Sequence, residues 1–106
     1  MFDDRGQAEE NYMARAEEMA FRVTARRNRL LGQWAAEQMG LTPEETDAYA
    51  KAVVQADFEE AGDEDVVHKL YSDLTAAGVN TDEAMVRNAL AEKAIEARRQ
   101  LMQAGQ

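Results

Sequence analysis

Apolar positions recur along this chain at spacings of three and four, the rhythm of amphipathic helices, and Gly40, Gly62 and Gly78 divide it into four segments. The first runs from about Asp4 to Met39 and carries Leu30, Leu31, Trp34, Ala35 and Met39 in its C-terminal half. The second offers Tyr49, Val53, Val54, Ala56 and Phe58. The third places Val66, Val67, Leu70, Tyr71, Leu74 and Ala77 on one side, and the fourth Val86, Leu90, Ala94, Ala97 and Leu101. No period-two alternation competes. Stripes of this width bury one another when helices joined by short turns pack side by side. The pattern predicts an all-α four-helix bundle with a long first helix, and it puts Trp34 in the core.

The segment ends carry their own signals. Gly40 stands where a left-handed C-terminal cap is wanted. Thr42, Pro43 and Glu45 then form a capping box with proline at its preferred first-turn position. Helix two is expected to stop at Gly62. Asp63 is expected to cap helix three, with Glu64 and Asp65 favoured by the positive end of its dipole. Gly78 should close that helix, and Thr81, Asp82 and Glu83 should open the fourth, which continues towards Met102.

The N-terminal segment differs. Met13, Ala16, Met19, Ala20 and Val23 keep a helical rhythm, but Gly6, Gln7 and the paired glutamates dilute the first dozen residues. A stripe this thin gives marginal helicity in isolation. Residues 1 to about 18 are therefore expected to be a mobile arm that becomes helical against a partner, with residues 19–106 as the bundle domain.

Charge sharpens this division. The chain of 106 residues has a formal net charge of −9, which disfavours nucleic acid and anionic membranes at long range. Residues 1–21 sum to −4, 22–41 to +3, 42–65 to −8 and 66–106 to zero. Arg22, Arg26, Arg27 and Arg29 thus form a cationic patch in an acidic chain. Arg22, Arg26 and Arg29 recur at i, i+4 and i+7 on one helix face. They suit an acidic protein surface or a phosphate, or they pair internally with Asp57, Glu59 or Glu60 across the bundle. Both readings remain open from the residues alone. No segment has the apolar length to span a bilayer and no signal sequence opens the chain, so a soluble cytoplasmic protein is expected.

Catalytic and metal chemistry find little support. With no cysteine there is no thiolate ligand or nucleophile. Ser72 is the lone serine, His68 the lone histidine, and the glycines are isolated rather than gathered into a phosphate loop. An EF-hand register from Asp57 places Ala61 where a ligand is needed and His68 where the bidentate glutamate belongs. The acidic block from Asp57 through Asp63 to Asp65 is better explained as a solvated helix junction. The expectation is a non-enzyme with no metal site.

Several strings carry a more specific resemblance. Phe2-Asp3-Asp4-Arg5, Ala25-Arg26-Arg27-Asn28-Arg29-Leu30-Leu31-Gly32, Trp34-Ala35-Ala36-Glu37, Gly40-Leu41, Ala48-Tyr49-Ala50, Ala56 to Val66 and Ala76-Ala77-Gly78-Val79 cover nearly the whole chain. In these strings it resembles the zeta inhibitor subunit of the alphaproteobacterial F-type ATP synthase. The resemblance implies a four-helix bundle whose N-terminal region inserts at a catalytic interface of the ATPase head and blocks rotation in the hydrolytic direction. Carried over residue by residue, it puts the inhibitory contacts at Phe2, Asp3, Asp4 and Arg5 and in the helix that follows, where Tyr12, Met13 and Arg15 are the candidates. Arg22, Arg26, Arg27 and Arg29 are a secondary docking group. Gly6-Gln7-Ala8-Glu9-Glu10 departs from the family's more charged and aromatic pattern, and the glycine costs about 1 kcal/mol against alanine in a helix.

The same resemblance implies the alpha, beta and gamma subunits of the head as partners and a location peripheral to the inner membrane through the synthase; the free chain is expected to be a monomer. It also implies a weak adenine-nucleotide site on the bundle that maps to no particular residue, and no other cofactor. The alternative class is a small acidic helical binding module for adenine nucleotide or a metal ion, unconnected to ATP synthase. A plain helical adaptor is the third. Co-purification with the head separates the first from the others.

Overall fold

The four segments fold as α1 (Phe2–Met39), α2 (Pro43–Glu59), α3 (Asp63–Ala76) and α4 (Glu83–Ala104) in a computed structural model. It describes the backbone of residues 2–59 and 62–104 and the side chains of residues 16–57 and 62–103. No strand occurs among the described residues. The all-α bundle with a long first helix is therefore the observed architecture. The helix α1 crosses residues 18 and 19 without a break, and the molecule measures 63 × 27 × 21 Å.

Local chemistry accounts for most helix ends. Gly40 has φ 71°, in the left-handed region that a side chain strains. That turn lets the Leu41 amide donate to the Ala36 carbonyl at 3.1 Å and the Gly40 amide to Glu37 at 3.1 Å, the paired bonds of a Schellman cap. The end of α3 repeats it, with Val79 donating to Leu74 and Gly78 to Thr75, both at 3.0 Å. At the start of α2 the capping box forms in both directions. The Thr42 amide donates to Glu45 Oε1 at 2.9 Å and the Glu45 amide to Thr42 Oγ1 at 3.2 Å. Those bonds to the carboxylate hold Glu45 below its ordinary pKa.

Two caps differ from expectation. Gly62, not Asp63, occupies the cap of α3, and no side chain caps that end. Asp63 is the first helical residue, and its carboxylate turns to Arg27 Nη1 at 3.1 Å. A charge-assisted bond to a buried guanidinium outweighs a backbone cap that water can supply. For α4 the cap is Asp82, whose Oδ1 accepts from the Met85 amide at 2.8 Å, while Thr81 stands one residue outside.

The core is built around α1, which packs chiefly on α2 and α4 and also reaches α3. Leu31, Ala35, Val53, Val66, Val67, Leu70, Leu74, Val86 and Ala89 are buried together, with Trp34, Met39, Tyr49, Tyr71, Val79 and Leu90 half-buried against them. Trp34 thus closes the edge of the core rather than filling its centre. Ala77, assigned to the stripe by periodicity, is exposed beyond the end of α3. Between α1 and α2 the backbones approach closely. A methyl group at Gly32 would stand 2.8 Å from Ala50 Cα and 3.2 Å from Val53 Cγ2. Only a hydrogen fits there.

Polar ties cross the remaining interfaces. Tyr49 on α2 donates its hydroxyl to Asp73 Oδ2 on α3 at 2.6 Å, and Lys69 reaches the same oxygen at 3.1 Å while lying 5.3 Å from the Tyr49 ring centre. Burial, then the hydrogen bond and charge of Asp73, push the Tyr49 phenol well above its ordinary range. Arg87 on α4 grips Glu64 on α3 through both oxygens, at 2.9 and 2.7 Å.

Candidate partner-binding site

The cationic run on α1 splits into two groups with opposite roles. Arg27 is only 8% exposed and Asn28 only 1%. Asn28 Oδ1 accepts from Arg27 Nε at 3.1 Å and Nη2 at 3.0 Å, and its Nδ2 donates to Asp57 Oδ2 at 2.8 Å. Arg27 Nη1 completes the chain at Asp63. This network links α1 to the end of α2 and the start of α3. It satisfies buried polar groups that would otherwise be costly, and no described buried side chain is left without a partner. The acidic junction therefore pairs internally with one arginine: Asp63 meets Arg27 directly, and Asp57 is joined to it only through Asn28. The side chains of Glu59 and Glu60 lie outside the described residues.

Arg22, Arg26 and Arg29 point elsewhere. Among the described residues the backbones of α2 and α4 do not approach each other closely, and a trough lies between them over α1. Phe21, Ala25, Val54 and Leu101 give it an apolar lining, and Arg22, Arg26, Arg29 and Lys51 surround that lining with positive charge. The space is about 770 Å³, within the range of ordinary binding clefts. The three arginines that helical periodicity groups on one face thus line one trough. Arg27, one residue out of register, is committed to the interior. Lys51 and the apolar floor were not foreseen as part of the site, because α2 supplies two of these residues and α4 a third.

The rim is lightly paired. Arg22 meets Glu18 at 2.6 Å one turn back on the same exposed helix face. Asp47 lies 3.1 Å from Lys51 and 3.7 Å from Arg29. Arg26 donates to the neutral Gln100 amide oxygen at 2.9 Å, and no carboxylate pairs with it among the described residues. Exposed ion pairs of this kind contribute little stability and exchange readily.

On the other side of α1, residues 16–20 are exposed, and Ala16, Met19, Ala20 and Val23 line a shallow crevice with Arg98 and Met102 of α4. The candidate arm contacts Phe2, Asp3, Asp4, Arg5, Tyr12, Met13 and Arg15 lie outside the residues whose side chains are described. His68 is exposed, with Nδ1 4.0 Å from Glu83. No group of three histidine, cysteine, aspartate or glutamate side chains is arranged to hold a metal ion among the described residues. No described helix is long and apolar enough to cross a membrane.

The described residues thus form a helical bundle with an extended first helix and a cationic trough. The chain belongs to the ATPase inhibitor subunit zeta family, whose pattern it matches over residues 1–100. It is also similar to a protein solved by solution NMR, at 45% identity and a TM-score of 0.72, over 81% of this chain and 98% of that one. No curated protein sequence matches it.

Proposed function

We propose that the chain is the regulatory subunit that binds the catalytic head of an F-type ATP synthase and restrains ATP hydrolysis, with residues 1–18 as the inhibitory arm and residues 19–106 as the anchor. The observation that carries this reading is the family match, which spans both the arm and the bundle. One unbroken helix, Phe2–Met39, joins the two parts. A helix at 1.5 Å per residue is a stiff lever, so a bundle seated on the head would set where the arm points. The action is steric. Phe2, Tyr12 and Met13 would supply apolar anchors, and Arg5 and Arg15 the charges that fix register, at a site formed by alpha, beta and gamma subunits. The protein then works in the cytoplasm at the membrane periphery, held there by the synthase, and catalyses nothing itself.

The test is steady-state ATP hydrolysis by the cognate enzyme stripped of this subunit and reconstituted with it. Added intact chain should suppress hydrolysis. A chain lacking residues 1–15 should melt like the parent, since the first buried side chain among the described residues is Arg27, yet leave hydrolysis uninhibited. Full inhibition by the truncated chain would move the effector role to the bundle.

A further inference from the structure

The trough between α2 and α4 is lined by none of the candidate arm residues, and it gathers four cations of this acidic chain around apolar surface. Resting on the regulatory reading above, we infer that the trough is the seat of an acidic amphipathic helix presented by the catalytic head, and that this contact anchors the bundle. Three observations converge on that occupant. First, Arg22, Arg26 and Arg29 line the trough together with Lys51, against a net charge of −9 for the whole chain. A local field opposite in sign to the molecule selects an acidic patch and orients its approach.

Second, the arginines stand at i, i+4 and i+7, a rise of about 10 Å along α1. A partner helix laid alongside, with carboxylates at the same spacing, can meet all three at once, whereas a small anion can meet only part of the row. Arg26 has only the neutral Gln100 as partner, and Glu18 and Asp47 hold the other cations through exposed pairs. Partner carboxylates can replace such pairs at small cost. Third, the floor is apolar. Phe21 is 52% exposed and lies beside Ala25, Val54 and Leu101. A helix inserting a large apolar side chain there, flanked by its own acids, follows the helix-in-groove mode.

Binding of the full-length protein to the cognate head, measured as association rate and Kd at low and moderate salt, tests the inference. The variants are Arg22→Glu/Arg29→Glu in the trough and Arg98→Glu/Arg99→Glu on α4, which change the net charge equally. The trough pair should weaken binding about tenfold or more, mostly through slower association, and should flatten the salt dependence. The α4 pair should change Kd by less than about twofold, and Phe21→Ala should weaken binding through faster dissociation. Thermal melts check folding, and Arg22→Gln/Arg29→Gln serves if the reversed pair fails to fold. Equal weakening by both charge-reversed pairs, or no weakening by the trough pair while the parent binds, overturns the docking inference and leaves the regulatory reading intact. A parent chain that does not bind the head overturns both.

Discussion

The two halves of α1 obey one helical geometry and face opposite environments. From Leu31 to Met39 the helix lies against α2, α3 and α4, with Leu31, Ala35 and Ala36 fully buried. From Ala16 to Arg22 every side chain is exposed, including Met19 and Phe21. An apolar side chain in the first half is held by packing. In the other, N-terminal half it lies at the surface. Residues of the same type therefore carry different information depending on whether a neighbouring helix covers them. Between the halves, Arg27 and Asn28 form the hinge of the comparison. They are polar, yet they behave as core because Asp57 and Asp63 meet them there.

The largest contrast should come from truncating one apolar side chain in each half. Leu31→Ala should destabilise the protein by about 2–5 kcal/mol through lost burial and the cavity left behind. Met19→Ala should stay within about 0.5 kcal/mol, as exposed substitutions do. Chemical denaturation of both variants decides it, and a comparable loss at Met19 would place the N-terminal half in the folded core.

A smaller effect should appear at the hinge. Asn28→Ala leaves the Arg27 guanidinium without the oxygen that accepts two of its bonds, and Asp57 without its amide donor. The expected loss is about 1–3 kcal/mol, read from the same unfolding curves. A neutral result would mean that water reaches the network and that the α1 to α3 link is ornamental.

Of the two polar ties the smaller effect is expected at Tyr49, which links α2 to α3. Tyr49→Phe should cost about 1–2 kcal/mol at neutral pH, since Asp73 retains Lys69 as a partner. Because the folded phenol is held above its ordinary value near 10, the unfolded chain ionises first as pH rises. The stabilisation is complete below about pH 10 and declines above it. The phenylalanine variant should lose that share of the alkaline decline, and parallel melting curves of the two proteins from pH 8 to 11 would rule this out.

Much of this architecture was legible before any packing was known. The capping box at Thr42 and Glu45 and the Schellman turn at Gly40 are contacts between residues three to five apart. Local sequence contains everything such contacts need. The same locality explains the near misses. Asp63 has the chemistry of a cap, but a guanidinium from a distant helix took its carboxylate. Thr81 and Asp82 are both capable caps, and Asp82 won by one residue. The candidate docking face was legible in part, since helical spacing alone groups Arg22, Arg26 and Arg29. The trough they line required Lys51, Val54 and Leu101 from two other helices.

What the sequence by itself determined is the number of helices, their boundaries to within a residue or two and the apolar stripes, because each depends on spacing along the chain; the family resemblance rested instead on particular strings of residues. Only the tertiary structure decided which charges are internal and which are offered outward. That choice depends on how far α1 rotates and how closely it approaches α2. Gly32 sets the approach, since no side chain fits between it and Ala50, and the resulting rotation turns Arg27 and Asn28 inward towards Asp57 and Asp63. The neighbours one residue away, Arg26 and Arg29, are left lining the trough. A step of 100° around a helix is readable from sequence; the direction in which the core lies is a property of the assembled bundle.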